Sequence, residues 1–96
     1  MKSEFSCVGV VGRSRRDVEA VLETLLKALD RSGARIMLED RFRSHVAEEY
    51  PVHERATIGA EADLVIVVGG DGSMLSAARD LIPHGKPMLG VNRGRL

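Results

Sequence analysis

The sequence predicts an α/β domain over residues 1–96: a Rossmann-like, three-layer arrangement of βαβ units on a parallel sheet. Three observations carry that expectation. Leu64–Val68 is a run of apolar residues without polar alternation, the pattern of a strand covered on both faces. Gly69, Gly70, Asp71 and Gly72 follow it directly, and a helical pattern starts at Ser73. Strands and helices alternate along the whole chain as β-α-β-(α)-β-α-β, which implies parallel pairing through right-handed crossovers.

Phe5–Val11 (FSCVGVV) reads as the first strand and ends at Gly12. Ser14, with Asp17 three residues on, resembles a capping box for the clearest helix in the chain. In that helix Val18, Val21, Leu22, Leu25, Leu26 and Leu29 recur at three- and four-residue steps, and Gly33 is placed to end it. Glu19, Glu23, Lys27, Asp30 and Arg31 form its solvated face. Ala34–Leu38 is a second, shorter strand. Glu39–Pro51 carries little signal, and Arg41, Arg43 and His45 within it read as an exposed loop rather than as residues leaning toward a phosphate. Tyr50-Pro51 interrupts any helix, and a short helix is expected over His53–Ile58, closed by Gly59. In the helix after the glycine turn, Met74, Leu75, Ala78, Leu81 and Ile82 form the apolar stripe. Pro83, Gly85 and Pro87 stop it, and Met88–Val91 is a fourth strand leading to Asn92-Arg93-Gly94-Arg95-Leu96.

Composition narrows the function classes. Fourteen basic residues balance fourteen acidic ones, so net charge gives no support to nucleic acid or a membrane as partner. Phe5, Phe42 and Tyr50 are the only aromatics, too few for a base-stacking surface. The single cysteine, Cys7, excludes an internal disulfide and reads as a small buried residue in a reducing compartment. No apolar run approaches the roughly 18 residues of a membrane span, and no signal-peptide pattern opens the chain, so a cytoplasmic location is expected. His53-Glu54 is not the start of HExxH, because position 57 is Thr57; no metal site made by protein ligands is expected.

The chemistry lies in the turn after the central strand. A strand, a glycine-rich turn and a helix direct backbone N–H groups and the positive helix end into one small space, which suits a phosphate. The lysine of GxxxxGK[ST] is missing, and no GxGxxG follows the first strand. Asp71 sets this turn apart, since a carboxylate repels a phosphate unless a divalent cation or a reacting hydroxyl lies between them. The turn therefore reads as a phosphoryl-transfer site, with Asp71 facing the acceptor hydroxyl as proton acceptor. The structural alternative is that Asp71 or Ser73 only caps the helix. In a parallel sheet, ligands collect beyond the carboxyl ends of the strands. Arg13–Arg16, Gly69–Ser73 and Asn92–Arg95 all fall at that edge, two of them with arginines and one with the glycine turn.

VVGGDGSMLSAARDL, followed by PMLGVNRGRL, resembles the N-terminal domain of bacterial NAD kinases, and FSCVGVVGR is similar to that family's first βα unit. The likeness covers nearly the whole chain and is loosest over residues 39–59. It implies transfer of the ATP γ-phosphate to the 2′-hydroxyl of the adenosine ribose of NAD, giving NADP, with a divalent metal, Mg2+, accompanying the nucleotide. It also implies that Asp71 is the catalytic residue and binds NAD together with Gly72, while Gly69, Gly70 and Ser73 line the phosphate path. Arg13, Asn92 and Arg93 are the further candidates for phosphate or ATP contact. Leu75 borders the nucleotide pocket or, as a stripe residue, belongs to the core.

Members of that family are longer, with a C-terminal β-rich domain that carries a second NAD-binding motif and much of a homo-oligomer interface, dimeric or tetrameric. That domain is absent from residues 1–96, which therefore read as an N-terminal domain without kinase activity of its own. Other GGDG-type kinases remain open, acting on diacylglycerol, sphingosine-like lipids or sugar phosphates. So does a nucleotide-binding module without catalysis.

Overall fold

The computed structural model describes residues 6–13, 18–46 and 50–91. The elements are β1 (Cys7–Gly12), α1 (Glu19–Ser32), β2 (Arg35–Glu39), β3 (Val52–His53), α2 (Arg55–Glu61), β4 (Leu64–Val68), α3 (Asp71–Leu81) and β5 (Met88–Val91). Short 3-10 turns at Asp40–His45 and Ile82–His84 follow β2 and α3. All strand pairs are parallel, in the order β3-β2-β1-β4-β5. The expected α/β class and parallel sheet are therefore present, with five strands rather than four.

Alternation along the strands divides the core. Val8 and Val10 of β1, Ile36 and Leu38 of β2, and Ile66 and Val68 of β4 pack with Leu22 and Leu26 of α1 and with Phe42. Val11, Met37, Val65 and Val67 face the other way, onto Ile58 of α2 and Ala77 and Leu81 of α3. This partition follows from the strand order. The steps from β1 to β2 and from β4 to β5 run in opposite directions, so right-handed crossovers place α1 and α3 on opposite faces. β1 and β4 read as near-continuous apolar runs because both of their faces are covered, whereas the edge strand β5 is exposed at Leu89 and Gly90.

Helix α1 matches its periodicity. Val21, Leu22 and Leu26 are buried, and Gly33 ends it in the left-handed conformation at φ 81°. Its Ser14–Asp17 start lies outside the described residues.

Four expectations need correction. β2 is displaced by one residue and takes in Glu39, whose backbone pairs with His53 of β3, a two-residue strand too short for Val52-His53 to announce. α2 runs through Gly59 rather than ending there. The glycine is in the helix because a Cβ would press on His84 and Leu81, so it permits close approach of the α3 end. α3 starts at Asp71, two residues early, with Gly70 as its N-cap and no side-chain cap bond, which removes the plain capping role for Asp71 and Ser73. Its buried stripe is Ser73, Ala77 and Leu81, whereas Leu75 (68%) and Ile82 (69%) are exposed.

Candidate phosphate-binding site at the strand ends

The strand order reverses direction between β1 and β4, and there the carboxyl ends of two adjacent strands open toward helices on opposite faces. Open α/β sheets bind ligands in that crevice. Gly12 is paired with Val68, and Val68 with Val91, so three strands finish level with one another. Immediately beyond them come Arg13, which is exposed, and Gly69, whose N–H donates to the Val91 carbonyl at 3.0 Å.

Both glycines at this edge are required by the backbone. Gly12 has φ +156°, and a Cβ on it would overlap the Val68 carbonyl oxygen. Gly69 has φ +144°, and a Cβ there would overlap the Ser73 hydroxyl. Gly69 and Gly70 thus turn the chain within two residues from β4 into α3. The first intrahelical contact recorded at this end runs from the Met74 N–H to the Gly70 carbonyl, at 3.2 Å. The amides of Asp71, Gly72 and Ser73 precede it, so helix geometry leaves them without intrahelical acceptors. Together with the helix dipole they form an anion-attracting end.

Asp71 and Gly72 are exposed in the first turn of α3, Gly69 and Gly70 are partly covered, and Ser73 is buried beneath the turn. Asp71 is therefore exposed at the start of α3, just beyond the paired ends of β1 and β4. Ser73 supports the turn from below, where its hydroxyl fills the space a Cβ of Gly69 would need. Leu75 is exposed on the flank of α3, so its core assignment is overturned. Asn92 and Arg93 lie outside the described residues, as do 14–16 of the first loop. Among the described residues, no three histidine, cysteine, aspartate or glutamate side chains gather as a metal centre.

One part of this edge went unread in the sequence. Glu39, at the end of β2, has a side chain only 2% exposed. Its Oε1 accepts from the Gly12 N–H at 3.0 Å and from Arg55 Nη2 at 3.1 Å. Oε2 accepts from Arg55 Nε at 3.2 Å and lies 3.1 Å from Arg41 Nε. Arg55, the first residue of α2, also donates to the Gly12 carbonyl at 3.4 Å, to Ser76 Oγ at 3.3 Å and to Asp80 Oδ2 at 3.1 Å. Arg41 is accordingly engaged with this carboxylate. The one available signal was an acidic residue closing the apolar run Ile36-Met37-Leu38.

A separate groove of about 480 Å3 lies beside α1, lined in part by Glu19, Lys27, Ser44, His45 and Tyr50. It opens on the α1 side, and the glycine turn feeds α3 on the other; we give greater weight to the turn, where the backbone donors converge.

A doubly wound α/β domain with a glycine–aspartate turn at its switch point belongs to the class of folds that commonly place nucleotides or phosphates at such a turn. Residues 8–96 match the family described as the ATP-NAD kinase N-terminal domain, and the chain belongs to that family. It is 45% identical over 96 residues to an NAD kinase of Saccharophagus degradans, covering 98% of this chain and 33% of that protein. It is 38% identical over 94 residues to an NAD kinase of Nitrosomonas eutropha, covering 96% of this chain and 32% of that one. An NAD kinase of Bordetella avium is 39% identical over 94 residues, again 96% of this chain and 31% of the relative. The chain spans about a third of the length of these relatives.

Proposed function

We propose that the natural polypeptide carrying this chain phosphorylates the 2′-hydroxyl of the adenosine ribose of NAD with ATP, giving NADP. The observation that carries this reading is the exposed Asp71 at the start of α3, beside the ends of β1 and β4, in a chain of the ATP-NAD kinase family. Asp71 acts as proton acceptor for the ribose hydroxyl and, with Gly72, contacts NAD. The turn amides of Gly69 and Gly70, with Ser73, line the phosphate path. Arg13, Asn92 and Arg93 extend the positive rim.

Phosphoryl transfer asks for positioning and charge neutralisation more than for covalent chemistry, so a backbone cradle with one carboxylate is a sufficient local contribution. A Mg2+ ion fits such a site, because it is usually held by one or two carboxylates together with the nucleotide phosphates. Asp71 is the carboxylate of this turn that would reach it, and the ion would neutralise phosphate charge. Homo-oligomerisation and a cytoplasmic location belong to the same proposal. Among the described residues, no helix is long and apolar enough to cross a membrane.

The test is an acceptor panel on the natural polypeptide, with ATP and either NAD, diacylglycerol or fructose 6-phosphate. Saturable ADP release with NAD alone is expected. Turnover of either other acceptor would move the protein to another GGDG-type kinase class, and nucleotide binding without turnover would make it a non-catalytic module.

A further inference from the structure

We propose that the Glu39–Arg55 pair is a positioning device that fixes the end of β1 against the glycine turn and the flank of α3. The inference rests on the functional reading above for its kinetic consequence, though not for its geometry.

The Gly12 peptide is gripped from both sides. Its N–H enters the Glu39 carboxylate, and its carbonyl takes an N–H from the Arg55 guanidinium. Since φ of Gly12 is +156° and Val68 stands against it, the backbone there has little room on the β4 side. The pair closes the remaining side. Arg55 then extends past Glu39 to Ser76 and Asp80, so one guanidinium ties β1, β2 and α2 to α3. α3 begins at Asp71, and the same plane of five donors therefore sets the end of β1 and the axis of the helix that presents the carboxylate.

A merely stabilising ion pair would not need this arrangement. A buried pair contributes little net stability compared with apolar packing, because desolvation offsets the attraction, so specificity of geometry is the better account of its presence. A planar fork is also required. Lysine has a single nitrogen and cannot serve the two Glu39 oxygens, the Gly12 carbonyl and Asp80 together. Glu39 and Arg55 are positioning residues, since neither is placed to touch the reacting atoms.

Arg55→Lys and Asp80→Asn test this in the natural polypeptide, the second altering only an exposed end of the network. Two readouts are used, amide hydrogen exchange resolved by NMR and steady-state kinetics. In Arg55→Lys the Gly12 and Gly69 amides, bonded to Glu39 and Val91, should exchange about tenfold faster, the scale of one lost hydrogen bond, while Val10 and Leu38 keep their protection. Asp80→Asn should speed exchange at the Met74 and Ser76 amides of α3 in the same sense and more weakly. Turnover of NAD should fall about 10- to 100-fold in Arg55→Lys, with the KM for ATP changed far less. Unchanged exchange at Gly12, or exchange that rises uniformly across the sheet, would overturn the inference, the latter by reducing the pair to general stability. If the unsubstituted polypeptide makes no NADP, the kinase reading fails by itself and the exchange pattern still decides the positioning role.

Discussion

Asp71 carries the chemistry proposed here, and its substitution by asparagine keeps side-chain shape while removing the proton acceptor. Turnover in the natural polypeptide should fall by at least about 100-fold with the circular dichroism spectrum unchanged. Backbone glycines differ among themselves in a way that space decides. Gly33 and Gly12 both have φ in the region that disfavours side chains, yet a Cβ on Gly33 would meet nothing within 4 Å and one on Gly12 would overlap a carbonyl. Gly33→Ala should lower unfolding free energy by about 1 kcal/mol, and Gly12→Ala by more, about 2–3 kcal/mol, both measured by urea denaturation. Asp63, at the opposite end of the sheet, shows how a surface carboxylate can matter. It accepts from the Ser6 hydroxyl at 2.9 Å and the Cys7 amide at 3.0 Å, and the Ser6 hydroxyl bond leads in holding its carboxyl below the usual value of 3.8. A carboxyl depressed by folding contributes stability above its unfolded pKa and loses that contribution as pH falls through its folded value. Asp63→Asn should therefore flatten the acid limb of the stability curve below about pH 4 and leave the curve's shape near neutrality unchanged, as read by Tm against pH.

At the scale of elements, α3 is the instructive case. Its sequence holds two candidate stripes, and the larger side chains of Leu75 and Ile82 point to the wrong one. The helix instead lays Ser73, Ala77 and Leu81 on the sheet, since small residues let it approach closely at its first two turns. Leu81→Ala should cost about 2–5 kcal/mol, against under about 0.5 kcal/mol for Leu75→Ala, by thermal or chemical denaturation. β1, α1 and β4 were legible because apolar runs and leucine spacing report burial directly, β5 because Pro87 and the residues after it mark a new strand although it is half exposed, and the glycine turn because few other sequences can bend a strand into a helix so tightly. The stretch from Glu39 to Pro51 was not legible. Among its described residues, placement depends on partners far away in sequence: Phe42 packs with the α1 cluster, and Glu39 is held in place by Arg55, sixteen residues on. Gly59 misled for a related reason, being a signal of close packing against His84 rather than of a helix end. Periodicity reports which face is apolar and says nothing of which charge will be buried against another.

For the molecule as a whole, the order β3-β2-β1-β4-β5 sets both what this domain can do and what it lacks. The switch point brings together the backbone donors of the turn and one exposed aspartate, Asp71. Efficient transfer needs the acceptor hydroxyl and the γ-phosphate held in line with water excluded, and small misplacements are penalised heavily. The described residues present that turn to open solvent: Asp71 and Gly72 are exposed, and so is Arg13. Relatives named NAD kinase carry about twice as much additional sequence, since this chain accounts for 32% or 33% of their length. These 96 residues expressed alone should accordingly fold around the two apolar clusters yet form no NADP above background in an enzymatic cycling assay with ATP, Mg2+ and NAD. Asp71→Asn in that isolated chain should then leave the assay at the same baseline, whereas in the natural polypeptide the same substitution should lower NADP formation at least about 100-fold. NADP formed by the 96 residues alone would mean that the open edge positions both substrates unaided, and the division of labour between this domain and the rest of the polypeptide would have to be redrawn.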